Sequence, residues 1–430
     1  MLAHVHHPSY QRIAHAVRRR EEWSDGSPLS FPEEDAELFF LAQESGHTDL
    51  LLGRSEYRCL EHGCTFGPEP TVDVPADAEI PENLRFRYPL LRTARASAGS
   101  RGDHLVLVLH GLNERSFTKY VPWAYQLWRA TGAAVALYPL SFHIRRVAPQ
   151  WGARLKSFLL ARQAVPGNEN VHAFNAVISD RLDHHPERFF WGGLQSYREI
   201  LDLVRTIRAG RHPHLVPGAQ IDLVGYSAGG YLALALLLID QDGLLARSRA
   251  VILESGAALR DTNLSSPLIV DLAAETALMK HFVRHTDKYA GPRLRHWLAE
   301  HVEGRWFRAL CGAAEERRAM DRRLREVASR LLAVANLNDQ VVPPGGVLNL
   351  LQGLHRDTGV RVEEMDLGVH EHPFLCAGYE ERDRRFVTEF LNLERYGPAF
   401  ERFIDAASAL LRRPGPEPTC PAPAARGAGP

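Results

Sequence analysis

Short runs of consecutive apolar residues recur along the middle and C-terminal parts of the chain, separated by longer stretches of helical periodicity. Leu105-Val106-Leu107-Val108-Leu109 has no polar position, the pattern of a strand covered on both faces. Similar runs follow at Ala133 to Tyr138, Ile221 to Val224, Ala250 to Leu253, Leu331 to Ala335 and Val360 to Leu367, the last of them interrupted by charged residues. Leu84 to Leu91 alternates more and is expected as a more exposed, antiparallel strand. Parallel neighbours require crossover connections, and Phe117 to Thr131 and Tyr231 to Leu238 read as helical ones. The pattern predicts an α/β fold with a mostly parallel sheet.

Two connections are longer than a crossover needs. Residues 141–211 contain helical stretches (Trp151 to Ala164, Tyr197 to Ala209) around a segment rich in His and Asn. Residues 255–330 end in a charged helical pattern, Glu315 to Arg330. Such excursions commonly lie over the C-terminal strand ends as caps on a ligand site. Residues 1–83 show no strand series and one helical pattern, Pro32 to Ser45 after Ser30. The expected organisation is therefore an N-terminal segment (1–83), a catalytic domain (84–413) with the two insertions, and a Pro/Ala/Gly-rich disordered tail (414–430). Glu381 to Arg413 reads as closing helices.

Composition narrows the partners. Lys plus Arg (51) balances Asp plus Glu (52), so no long-range field favours nucleic acid or an anionic membrane. The longest apolar run, Tyr231 to Ile239, is far short of the ~20 residues of a membrane span, and the N-terminus lacks a signal-peptide core. Five scattered cysteines suit a reducing compartment, and a cytoplasmic protein is expected. Cys59 and Cys64 flank His62, but a zinc site needs about four ligands at defined spacing and no partner pair is expected downstream; the group reads as structural.

The chemistry is concentrated at Gly225-Tyr226-Ser227-Ala228-Gly229-Gly230, between an apolar strand and an apolar helix. That context exposes a serine hydroxyl on a tight turn at a helix N-terminus. A serine needs a base and an orienting acid. Asp339 is the only acid in the loop after Leu331 to Ala335, and His370 follows the strand Val360 to Leu367. His372, two residues on and before Pro373, is the alternative base. The N–H groups of Ala228 and of Leu112, in His110-Gly111-Leu112-Asn113, are placed to form an oxyanion hole, with His110 bracing that loop. Arg145, past a strand end, and Tyr226, beside the serine, are candidate substrate contacts; Arg145 and Arg146 equally suit pairing with acids of the cap. Phe189-Phe190-Trp191 suits either an apolar pocket or the cap's own core.

Leu-His-Gly-Leu-Asn at 109–113, Gly-Tyr-Ser-Ala-Gly-Gly at 225–230, Asn-Asp-Gln-Val-Val-Pro at 338–343 and His370 after a strand together resemble the α/β-hydrolase superfamily, over residues 84 to 395. The resemblance implies an eight-stranded, mostly parallel sheet flanked by helices and a Ser227–His370–Asp339 triad. The expected activity is cleavage of a small-molecule carboxylic ester, or of an amide, through an acyl-enzyme, with no metal or organic cofactor. The same triad can instead serve an acyltransferase, and the fold can serve a binding protein without catalysis.

Overall fold

The computed structural model describes residues 8–19, 28–53, 55–69, 75–94, 101–240, 242–374 and 393–412. The tail 414–430 and residues 381–392 of the expected closing helices lie outside these residues. Among the described residues eleven strands form: β1 (Leu29–Phe31), β2 (Ala36–Glu44), β3 (Tyr57–Arg58), β4 (Thr65–Phe66), β5 (Arg85–Thr93), β6 (Gly102–Leu109), β7 (Ala134–Tyr138), β8 (Leu215–Tyr226), β9 (Ala250–Leu253), β10 (Leu331–Asn336) and β11 (Arg361–Met365). Nine of them make one sheet in the order β1-β2-β5-β7-β6-β8-β9-β10-β11, while β3 and β4 form a separate hairpin. Pairings from β7 through β6 to β11 are parallel. β1, β2 and β5 run antiparallel at the other side. This is the α/β-hydrolase architecture.

The inner parallel strands stand where the apolar runs place them, because helices cover both faces, while β11 at the sheet edge is largely polar. Leu105, Leu107 and Leu109 belong to one apolar layer, and Val106 and Val108 to the opposite one. The second layer includes the helices Val121–Thr131 and Leu393–Leu411, the latter within the span expected to close the fold.

The N-terminal segment departs from expectation. Pro32 to Ser45 is not a helix: Pro32–Glu34 forms a single 3-10 turn, and Asp35 closes it in the left-handed region at φ 57°. The chain then enters β2, which pairs with β5 over nine positions, from Ala36↔Thr93 to Glu44↔Arg85. Phe39 faces one apolar layer while Ala36, Leu38 and Phe40 face the other. Burial on both faces makes the apolar run continuous, which mimics a buried helix in the sequence, and the pairing partner lies some fifty residues away. The sheet therefore begins at Leu29 and has nine strands rather than eight. β5, expected to be exposed, is buried along its centre because β2 covers its outer edge.

Both long insertions are helical and meet each other. Arg162, from the helix Leu155–Gln163, makes a bidentate pair with Asp271 at 2.7 and 2.8 Å, and both are buried. Asp271 in turn caps the helix Leu272–Met279 by accepting from the Ala274 amide. Phe190 and Trp191 pack edge-on against Phe307 and Trp297 respectively, so these aromatics form cap core. No helix among the described residues is long and apolar enough to cross a membrane.

Candidate active site

β8 ends in Tyr226, and the helix Ala228–Ile239 starts immediately after Ser227. The turn between them holds Ser227 at φ 51°, ψ −119°, a conformation costly for a non-glycine residue. A Cβ on Gly225 would lie 2.3 Å from the Gly229 carbonyl oxygen, so the strand and helix backbones meet only because this position lacks a side chain. Ala228 is the first residue of the helix, where amides have no intrahelical acceptor.

Ser227 Oγ lies 2.9 Å from His370 Nε2, and His370 Nδ1 lies 2.8 Å from Asp339 Oδ2. The other carboxylate oxygen of Asp339 accepts from the amides of Val341 and Val342 at 2.8 and 2.7 Å, which fixes its orientation. His370 and Asp339 are buried. Tyr226 donates its hydroxyl to the His370 carbonyl and so tethers the loop that carries the imidazole. Of the two histidines, His370 is the one bonded to Ser227. His372 is half-buried nearby, lines the same cleft, and desolvation of its ring holds it down to about 4.

The loop after β6 is braced from several sides. His110 Nε2 accepts the Leu140 amide at 2.9 Å, so the ring proton is on Nδ1, which donates to the Gly111 carbonyl. Burial keeps this ring well below the usual histidine range and therefore neutral. The Gly111 amide donates to the Tyr120 hydroxyl at 3.0 Å, leaving Leu112 as the next amide along the cleft. A Cβ on Gly111 would stand 2.6 Å from the Tyr226 ring and 3.4 Å from Ser227 Cβ, a measure of how closely this loop approaches the serine. Asn113 bonds the carbonyls of Phe174 and Leu268 at 2.9 and 2.8 Å, tying one residue from each insertion to the loop. Phe174, Leu268 and Ile269 line the cleft above Ser227.

Two sequence candidates sit elsewhere. Arg145 is absent from the cleft lining; its guanidinium donates to the Arg18 carbonyl. Arg146 is fully buried and pairs with both oxygens of Glu199 at 2.7 Å, the cap-acid pairing. Tyr226 borders the cleft, but its hydroxyl is engaged by His370.

One residue of this cluster went unnoticed in the sequence. Glu254, directly after β9, is fully buried at φ 49°, and its Oε2 lies 3.7 Å from His370 Nδ1 without a hydrogen-bond partner. Burial, and then the nearby Asp339 charge, push its carboxyl well above the usual range. Asn336 holds its other oxygen at 2.7 Å and also bonds the Gly368 carbonyl, joining the ends of β9, β10 and β11. The signal was available: an acid immediately past a buried strand is also what marked Asp339.

Residues 13–392 match a family of unknown function, DUF6051. The chain belongs to that family. Among curated proteins none matches the sequence. Similar solved structures include carboxyl esterase 2 from the mycorrhizal fungus Tuber melanosporum, at 14% identity and TM-score 0.44 over 94% of this chain and 98% of that one. Brefeldin A esterase, described as a bacterial homologue of human hormone sensitive lipase, is similar at 12% identity and TM-score 0.44 over 96% and 85%. A thermostable esterase from Pseudomonas putida is similar at 11% identity and TM-score 0.41 over 94% and 89%.

Proposed function

We propose that this chain is a serine hydrolase that cleaves carboxylic esters of small molecules through an acyl-enzyme. The observation that carries the reading is the hydrogen-bonded series Ser227 Oγ, His370, Asp339 at 2.9 and 2.8 Å, on a strained turn at a helix start. His370 Nε2 takes the Ser227 proton as Oγ attacks the carbonyl carbon, and Asp339 keeps the ring proton on Nδ1 and stabilises the imidazolium. The amides of Leu112 and Ala228 hold the developing oxyanion. The imidazolium then protonates the departing alcohol. Water, deprotonated by the same histidine, attacks the acyl-enzyme and releases the acid, restoring Ser227. Phe174, Leu268 and Ile269 offer apolar surface for the acyl or alcohol group.

Turnover of short p-nitrophenyl esters by the purified chain tests this. Ser227→Ala should abolish it with an unchanged circular dichroism spectrum, and a fluorophosphonate probe should label the unaltered protein at Ser227. Undiminished turnover in the variant, or no labelling, would sink the reading. Formation of a new ester when an alcohol is added would redirect it to acyl transfer.

A further inference from the structure

The hairpin β3–β4 carries Cys59 and His62 on its loop, and the second insertion carries His296 on the helix Pro292–Glu300 and His301 at its end. The fold brings these four residues together, with one ligand atom from each within 4.8 Å of all the others. Cys59 Sγ lies 3.5 Å from His62 Nδ1 and 3.4 Å from His301 Nε2. A sulfur at about 2.3 Å and a nitrogen at about 2.0–2.1 Å from one tetrahedral zinc stand about 3.5 Å apart. The two contacts thus have the spacing that zinc ligands require.

The outer nitrogens are arranged to match. Glu61 presents one oxygen 3.2 Å from His301 Nδ1 and the other 4.0 Å from His62 Nε2. His301 Nδ1 makes no hydrogen bond in this arrangement, and a carboxylate beside a metal-ligating imidazole is the usual partner for its outer N–H. The Trp297 indole stacks on the His301 ring at 3.7 Å and holds its plane. Hydrogen bonding within the protein does not account for the cluster. His296 Nε2 is buried with no partner, and one thiol proton cannot serve three imidazoles.

We propose that Cys59, His62, His296 and His301 form a structural zinc site that staples the N-terminal hairpin to the second insertion. Zn²⁺ displaces the Cys59 thiol proton and binds the thiolate and three neutral imidazoles, so one proton is released to solvent for each ion bound. Four protein ligands close the coordination sphere and leave no position for substrate water, which makes the site structural. Neighbouring contacts span the same seam: Trp297 Nε1 donates to the Tyr57 hydroxyl at 3.1 Å, and Arg293 pairs with Glu69 at 3.0 Å. In sequence the set was hidden because the first pair and the second are more than 230 residues apart, although His296 and His301, with four residues between them, have a spacing usual for zinc ligands.

The test is metal analysis of the full chain produced with zinc in the medium. One zinc per chain is expected, retained in Cys64→Ser and in Asp339→Asn, and lost in Cys59→Ser and in His301→Gln. Glu61→Gln should weaken zinc in chelator competition by about 10–100-fold. Should the ligand variants fold poorly, cobalt(II) added to chelator-treated unaltered protein should give the intense visible bands of a tetrahedral site and a thiolate charge-transfer band. Zinc that survives in both ligand variants overturns the proposal. So does unaltered protein with neither stoichiometric zinc nor the cobalt–thiolate band.

Discussion

Glu254 Oε2 lies 3.7 Å from His370 Nδ1, the same ring nitrogen that Asp339 approaches to 2.8 Å. Two carboxyl groups thus stand beside one ring nitrogen, but only Asp339 is hydrogen-bonded to it, and their surroundings separate their roles. Asp339 accepts two backbone amides, whereas Glu254 Oε2 has no donor and its carboxyl is held well above the usual range. Burial therefore favours the protonated form of Glu254.

It follows that Asp339→Asn should lower ester turnover by about 10⁴-fold, the usual cost of the wrong tautomer. Glu254→Gln, which mimics the protonated acid, should leave most of it. The stability sign is opposite to that of a paired carboxylate. A raised folded value means the native state binds more protons, so stability from Glu254 is full below about pH 4.3 and falls as pH rises toward the folded value. Urea midpoints of Glu254→Gln should match the unaltered protein near pH 4 and exceed it increasingly toward pH 8. A variant that is less stable at pH 8 than at pH 5, relative to the unaltered protein, would contradict this.

The two histidines should separate by kinetics. His370→Ala is expected to lose on the order of 10⁶-fold in kcat, as removal of a triad base does. His372→Ala should keep kcat near that of the unaltered protein, since His372 does not touch Ser227. Because burial holds His372 down to about 4, its variant should not move the pH profile above pH 6. A larger loss from His372→Ala would reverse the assignment.

The Arg162–Asp271 pair holds the two insertions together over the cleft. Burial alone would raise the Asp271 carboxyl, but the Arg162 hydrogen bonds outweigh it and hold the group below the usual range. Asp271→Asn keeps the helix cap and removes the charge. Breaking such a buried pair costs about 3–5 kcal/mol. A lowered folded value gives stability that is present above the unfolded value of about 3.9 and is lost as pH falls through the folded one. The gap between the two proteins should thus be widest near neutrality and close below pH 4, measured by urea unfolding.

Gly111→Ala should injure the loop beside the serine. Its Cβ would overlap the Tyr226 ring, and overpacking of this kind costs about 1–3 kcal/mol. Both Tm and kcat should fall, because Tyr226 also holds the His370 carbonyl. Gly152→Ala, with nothing within 4 Å of the new carbon, is the control and should change neither.

The sequence alone was sufficient wherever local chemistry decides the conformation. A strand buried on both faces must be apolar throughout, so β6, β7, β9 and β10 were legible within a few residues at each end, whereas β8 starts six residues before its apolar run and β11 is largely polar. A serine turn between strand and helix needs glycine at Gly225, and an acid and a histidine past later strands stood out as Asp339 and His370. What the sequence could not contain was proximity. Nothing near Pro32 to Ser45 announces that β5 will pair with it, so a strand read as a helix. Arg145 follows a strand end as a cleft residue would, yet its side chain turns to Arg18. The choice of His370 over His372, the second carboxyl at Glu254, and the meeting of Cys59 and His62 with His296 and His301 depend on distances between residues far apart in the chain. Local pattern sets which groups are available, but only packing of the layers sets which of them touch.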